Sequence, residues 1–250
     1  PDPDRDRGTG ARLAQRAENT ERGHRRECEC HRAVEERPPK QTHGPTVRDR
    51  AWFYLAKIRY QRGFLPEAEE AIARVEKNLP PELEEERGLL QANILMARGD
   101  YVAAAEILKG MTGNKDAGQY ARFNLGVALV RSGDTKAGSA LLDELGKAPA
   151  ADEEQRSLRD RANVALGYSA LQQDRPELAQ SYLERVRLAS MHTNKALLGF
   201  GWAAASLKQY RQALVPWTEL SQRDSSDASV LEARIAVPYA FAEIGAFGQS

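Results

Sequence analysis

The sequence predicts an all-α protein, a solenoid of about five and a half helix-turn-helix repeats behind a disordered or loosely helical N-terminal tail. Three observations carry that reading. Helical apolar periodicity runs from Asp49 to the end of the chain. It breaks at Gly63, Gly99, Gly133, Asp174, Lys208 and Gly245, at spacings of 36, 34, 41, 34 and 37 residues, and a period near 34 marks stacked helical hairpins. Within each unit one small residue is followed twelve places later by another: Ala56 and Ala68, Ala92 and Ala104, Gly126 and Gly138, Gly167 and Ala179, Gly201 and Ala213. Small pairs let the two helices of a hairpin approach below the usual axis separation of about 8–10 Å.

Residues 1–46 stand apart from this pattern. They contain no Ile, Phe, Tyr, Trp or Met, and only Leu13 and Val34 as branched aliphatics. Such a segment cannot bury enough apolar surface to offset its chain entropy, so it is predicted to be disordered or loosely helical. Its Arg-, Pro- and His-rich composition also resembles linker or misframed, non-native sequence. His24, Cys28, Cys30, His31 and His43 lie here. The Cys28-Glu29-Cys30 spacing is tighter than a zinc knuckle and has no distant second pair, so no metal is expected.

The repeat domain is residues 47–250. Its first unit carries Trp52, Leu55-Ala56 and Arg59-Tyr60, and later units carry Leu125-Gly126, Leu166-Gly167 and Phe200-Gly201. Second helices repeat a small, large and apolar series: Ala68, Ile72, Val75; Ala104, Leu108, Met111; Gly138, Leu142, Leu145; Ala179, Leu183, Val186; Ala213, Trp217, Leu220. On these residues the chain resembles the tetratricopeptide-repeat family over residues 49–250. The resemblance implies a right-handed superhelix whose first helices line a concave groove for peptide segments of partners.

The pattern is departed from in three places. Gln91 stands where a Leu is expected, and Pro238 is expected to kink the sixth first helix. Ser250 falls where the sixth second helix should begin. The array thus reads as truncated in the sixth repeat, with an uncapped C-terminal end. The longer spacing after Gly133 is assigned to an insertion around Ala148–Glu154.

Composition excludes several classes. Formal net charge is zero, so no basic field argues for nucleic acid. No apolar run is long enough to span a bilayer. The N-terminus has no apolar signal core, so the default expectation is the cytoplasm, or the periplasm if a signal has been removed. The Ala-, Arg- and Leu-rich composition and a likeness to envelope-associated bacterial repeat proteins point to a bacterial source. No P-loop, HExxH or GxGxxG motif occurs. Gly167-Tyr168-Ser169 lies mid-helix in this reading and lacks the closing Gly of a nucleophile elbow. His192 is read as an exposed loop histidine.

Site expectations therefore fall on the groove. One inward place holds Phe53, Leu89, Phe123, Val164, Leu198 and Ile235, and the place four residues on holds Lys57, Asn93, Val127, Tyr168, Trp202 and Tyr239. Three residues before the first row come Arg50, Arg161 and Lys195. The family's carboxylate-gripping Lys places hold Phe53 and Tyr120, and only Asn124 matches, which argues against that clamp. The expected partner-binding residues are Phe53, Lys57, Asn93, Phe123, Asn124, Arg161, Tyr168, Lys195, Trp202 and Tyr239. Phe53, Phe123 and Leu198 have a competing reading as core between adjacent first helices. Function is expected to be non-catalytic, with no cofactor: a scaffold binding a protein or peptide in an apolar, aromatic groove. The alternative is a structural or oligomerisation module of a larger assembly, such as one of the bacterial cell envelope, self-associating through the open end. A regulatory piece of a larger enzyme is a third reading.

Overall fold

The structure, a computed structural model, describes residues 45–76, 79–113, 118–246 and 248. The expectations for residues 1–44, including both cysteines and His24, His31 and His43, and for Ser250 lie outside the described residues. Eleven helices follow in order among the described residues: α1 Pro45–Gln61, α2 Leu65–Ala73, α3 Pro81–Arg98, α4 Tyr101–Lys109, α5 Gly118–Ser132, α6 Thr135–Lys147, α7 Glu153–Gln172, α8 Pro176–Leu183, α9 Thr193–Ser206, α10 Tyr210–Ser221 and α11 Ala228–Glu243. They pair as five hairpins, with α11 as the first helix of a sixth. Helix α1 begins at Pro45, two residues before the boundary expected at Val47.

Local chemistry fixes the ends. Each first helix stops at a left-handed residue, and these are the six break positions: Gly63, Gly99, Gly133 and Gly245, with Asp174 (φ 54°) and Lys208 (φ 59°). Four of the five second helices start on a side-chain cap or on proline, and α10 starts on neither. Asp100 and Asp134 accept from the amides of Ala103 and Ala137, each at 3.1 Å. Pro66 and Pro176 occupy the first turns of α2 and α8, where their missing N–H costs nothing. Between α6 and α7 the chain runs through residues 148–152, the predicted insertion, and Asp152 caps α7 at the amide of Gln155, 2.8 Å away.

The small residues do what their spacing implies, in two ways. A Cβ on Gly138 would lie 2.6 Å from the Gly126 carbonyl oxygen and 2.7 Å from the Val130 amide, so this pair does bring two backbones together. Gly167 and Gly201 instead make room for a large side chain one turn past the opposing small residue: Leu183 Cγ at 2.4 Å, and Trp217 Nε1 at 2.1 Å, from the added Cβ. Pro238 does not end α11, which continues to Glu243, and α10 likewise runs through Pro216. Pro238 is exposed, so the Arg234 carbonyl it leaves unbonded can reach solvent. Gln91 is half-buried and accepts from Arg87 Nη1 at 3.2 Å.

Packing between hairpins is asymmetric. Among the described residues, each first helix contacts the next first helix, and no second helix contacts the next second helix. The first helices therefore converge on the inner side of the curve, and the second helices splay on the outer side. At the junction of the fourth and fifth hairpins a charged clip spans the turn. Arg187 Nε donates to the fully buried Asp160 at 2.8 Å, and its two Nη atoms reach Glu153 at 3.0 and 2.9 Å.

Candidate partner-binding site

The inner wall is built from the faces of α1, α3, α5, α7, α9 and α11. Side-by-side packing of these helices decides the fate of the first predicted row. Phe53 is 0% exposed, Phe123 4% and Leu198 5%, and Val164 is also buried. This corrects the expectation that Phe53 and Phe123 line a groove: each lies between its own first helix and the next, so both belong to the core. Cations cap them from the solvent side, Arg161 at 4.6 Å from the Phe123 ring and Lys57 at 5.9 Å from that of Phe53. In that row the exception at the far end is Ile235, 75% exposed on α11.

The second row forms rungs between adjacent first helices. Lys57 Nζ pairs with Glu86 at 2.8 Å, Tyr168 Oη donates to the Lys195 carbonyl at 3.0 Å, and Trp202 Nε1 donates to Glu232 at 2.7 Å. In each rung a residue of one hairpin reaches the start of the next first helix. Asn124 Nδ2 donates to Asn93 Oδ1 at 3.0 Å, a further rung. The polar tips of Lys57, Asn93, Asn124, Tyr168 and Trp202 are thus engaged within the chain, and what these aromatic residues offer outward is ring surface. Burial, with a smaller contribution from Glu232, pushes the Tyr168 phenol up to about 12.

Around Trp202 the rings form a continuous cluster from core to surface. The Trp202 ring meets the edge of the buried Trp217 at 4.9 Å and lies 6.3 Å from Tyr239, which in turn lies 6.0 Å from Tyr210. Tyr239 is 41% exposed, the most accessible member of the predicted aromatic row. Its hydrogen bond to Tyr210, followed by burial and Glu243, raises the Tyr210 phenol to about 12. Arg161 and Lys195 are exposed on the same wall.

The residues that the sequence reading missed are two partners of the rungs, Glu86 and Glu232, and Tyr210 on α10, whose ring meets Tyr239. A signal was available. Glu86, Lys195 and Glu232 occupy one repeat place, seven residues ahead of the second row, so the repeat phase brings each beside the preceding hairpin's row. His192, expected in an exposed loop, is half-buried, with Nε2 3.4 Å from Ser157 Oγ. Burial first, then Arg161, lowers its pKa below the ordinary value. Ser169 is buried in the last turn of α7, not mid-helix as the sequence reading had it. Among the described residues no group of three or more His, Cys, Asp or Glu could hold a metal ion, and no helix is long and apolar enough to cross a membrane.

Comparison with known proteins agrees with this geometry. Residues 95–162, from the end of α3 into α7, match the family model of the tetratricopeptide repeat. No curated protein matches the chain significantly. Among solved structures it is similar to a thermophilic tetratricopeptide-repeat protein of Thermus thermophilus, with a TM-score of 0.50 and 16% identity, covering 78% of this chain and 99% of that one. At that identity the likeness concerns the fold.

Proposed function

We propose that this stack of helical hairpins, which matches the tetratricopeptide-repeat family model over residues 95–162, is a non-catalytic protein-interaction scaffold whose partner docks on the inner wall of the first helices. One observation carries this reading. Tyr168, Trp202 and Tyr239 stand at the same place on three successive first helices, on the side where those helices converge. Their polar tips are held in fixed rungs or ring contacts, so their faces are pre-oriented, which lowers the entropic cost of binding. Arg161 and Lys195 add positive charge beside the rings. A segment with apolar or aromatic anchors and an acidic flank fits that surface.

A second reading rests on a different stripe. Leu231, Ile235 and Tyr239 recur every fourth residue along α11 and are 50, 75 and 41% exposed, a face suited to self-association.

The test is affinity capture from a host lysate with the whole chain as bait, beside a variant carrying Tyr239→Ala and Lys195→Glu. Both side chains are exposed, and Lys195→Glu leaves the backbone carbonyl that receives Tyr168 in place, so far-UV circular dichroism should be unchanged. A partner anchored on the inner wall should bind the variant at least ~2 kcal/mol more weakly, roughly thirtyfold in affinity. Equal capture by both baits would reject the inner wall. Sedimentation of the same samples addresses the second reading: a concentration-dependent dimer that Ile235→Lys returns to monomer would favour it.

A further inference from the structure

We infer that the outer face carries a second docking site, a groove between α8 and α10 that takes an amphipathic helix of a protein partner, its apolar stripe flanked by Lys or Arg. This goes beyond the inner-wall reading and does not depend on it. The groove has a cavity volume of about 540 Å³, within the range of built binding clefts. It lies where α8 is only eight residues long and where the Cα atoms of successive second helices stay more than 8 Å apart.

The shape specifies a helix. The floor is a face of α9, with Thr193, Ala196, Leu197 and Phe200 at spacings i, i+3, i+4 and i+7. One wall is α10, where Gln212, Val215, Pro216 and Glu219 repeat the same spacing. The other wall is Leu183 and Val186, continued by Leu188. Two helical stripes that line one open cavity present the ridges and grooves into which a third helix fits. Val215 is 73% exposed and Leu188 74%, large apolar side chains left open at the rim.

Charge specifies the flanks. The lining holds two carboxylates, Glu184 on one wall and Glu219 on the other, and no cationic side chain. Among the described residues Glu184 has no ion pair, while Glu219 lies 3.2 Å from Arg223. A helix lying along the groove would therefore meet an acid on each side of its apolar stripe. The wall beyond α8 is preformed. Arg187 is clipped to Asp160 and Glu153, and the Thr193 hydroxyl donates to the Ser190 carbonyl at 2.6 Å. The groove thus needs little reordering to accept a ligand.

The experiment measures fluorescence anisotropy of labelled peptides with the whole chain. The probe is a helical peptide of about 18 residues, ~27 Å long, with Leu at i, i+3, i+4 and i+7 and Lys on both flanks. Two controls replace Lys by Glu, or scramble the order so that the leucines lose their helical period. The lysine peptide is expected to bind at least tenfold more tightly than either control. Val215→Lys is expected to weaken it at least tenfold with unchanged circular dichroism, and Leu188→Lys serves the same purpose should that variant misfold. Glu184→Lys with Glu219→Lys is expected to reverse the preference, favouring the glutamate peptide. Equal binding of all three peptides, indifference to Val215→Lys, or no binding overturns the proposal. So does a dimer of the chain that Val215→Lys makes monomeric, since the occupant would then be a second copy. Binding of an apolar dye with no peptide binding would likewise overturn it.

Discussion

Trp217→Ala is expected to destabilise the array by about 3–5 kcal/mol, the ordinary range for removing a large buried aromatic side chain. The indole is 0% exposed, meets Trp202 edge-on at 4.9 Å, and donates to the Leu198 carbonyl at 3.2 Å. It connects α9, α10 and α11, because Leu198, Leu220, Val230 and Ala233 share its cluster. Gly201 supplies the second half of the expectation. In the parent chain Gly201→Ala places a Cβ 2.1 Å from the indole nitrogen and should cost about 1–3 kcal/mol by overpacking. In the Trp217→Ala background that obstacle is gone, and the same change should stabilise by up to ~1 kcal/mol through helix propensity. Urea denaturation of the four proteins measures the cycle. Simple additivity of the two changes would mean that Gly201 is not the room made for Trp217.

Arg187→Ala should lower the melting temperature by on the order of 10 °C, because it leaves a buried carboxylate without its cation. Asp160 is 0% exposed, and without the guanidinium the partner left to it is the residue 187 amide, 3.4 Å away. Replacing both residues by leucine should cost less than Arg187→Ala alone, since no charge is then stranded. The same clip sets a pH dependence. Arg187 first, then Arg156, holds the exposed Glu153 carboxyl at about 2, below its ordinary 4.5. A depressed carboxylate contributes stability that is complete above about 4.5 and is lost as the pH falls towards about 2. Thermal melts between those limits should show a slope in the parent chain that Glu153→Gln flattens. An unchanged slope would remove Glu153 from the clip.

Much of the architecture was legible because it rests on short-range chemistry. Among the described residues all six left-handed positions lie at the predicted breaks, since reversing a helix there uses positive φ, and the small pairs set the phase of the hairpins. The fate of the inner residues was less legible. Phe53 and Ile235 occupy the same place in the repeat, yet one is 0% and the other 75% exposed. The difference is whether a following first helix packs against it, which is a property of the stack and not of the residue. The tips of Tyr168 and Trp202 read as free interface groups, but their partners, Lys195 and Glu232, lie about one repeat away. The outer groove escaped notice because no motif encodes it. It follows from the shortness of α8 and from the splay of the second helices, quantities that a pattern of apolar residues leaves open.

The most direct measurement on the inner wall is amide hydrogen exchange of the whole chain with and without its captured partner. Docking on the converging first helices should slow exchange in α7, α9 and α11 around Tyr168, Trp202 and Tyr239, with α8 and α10 little changed. Protection confined to α8 and α10 would contradict that placement and move the partner to the outer groove.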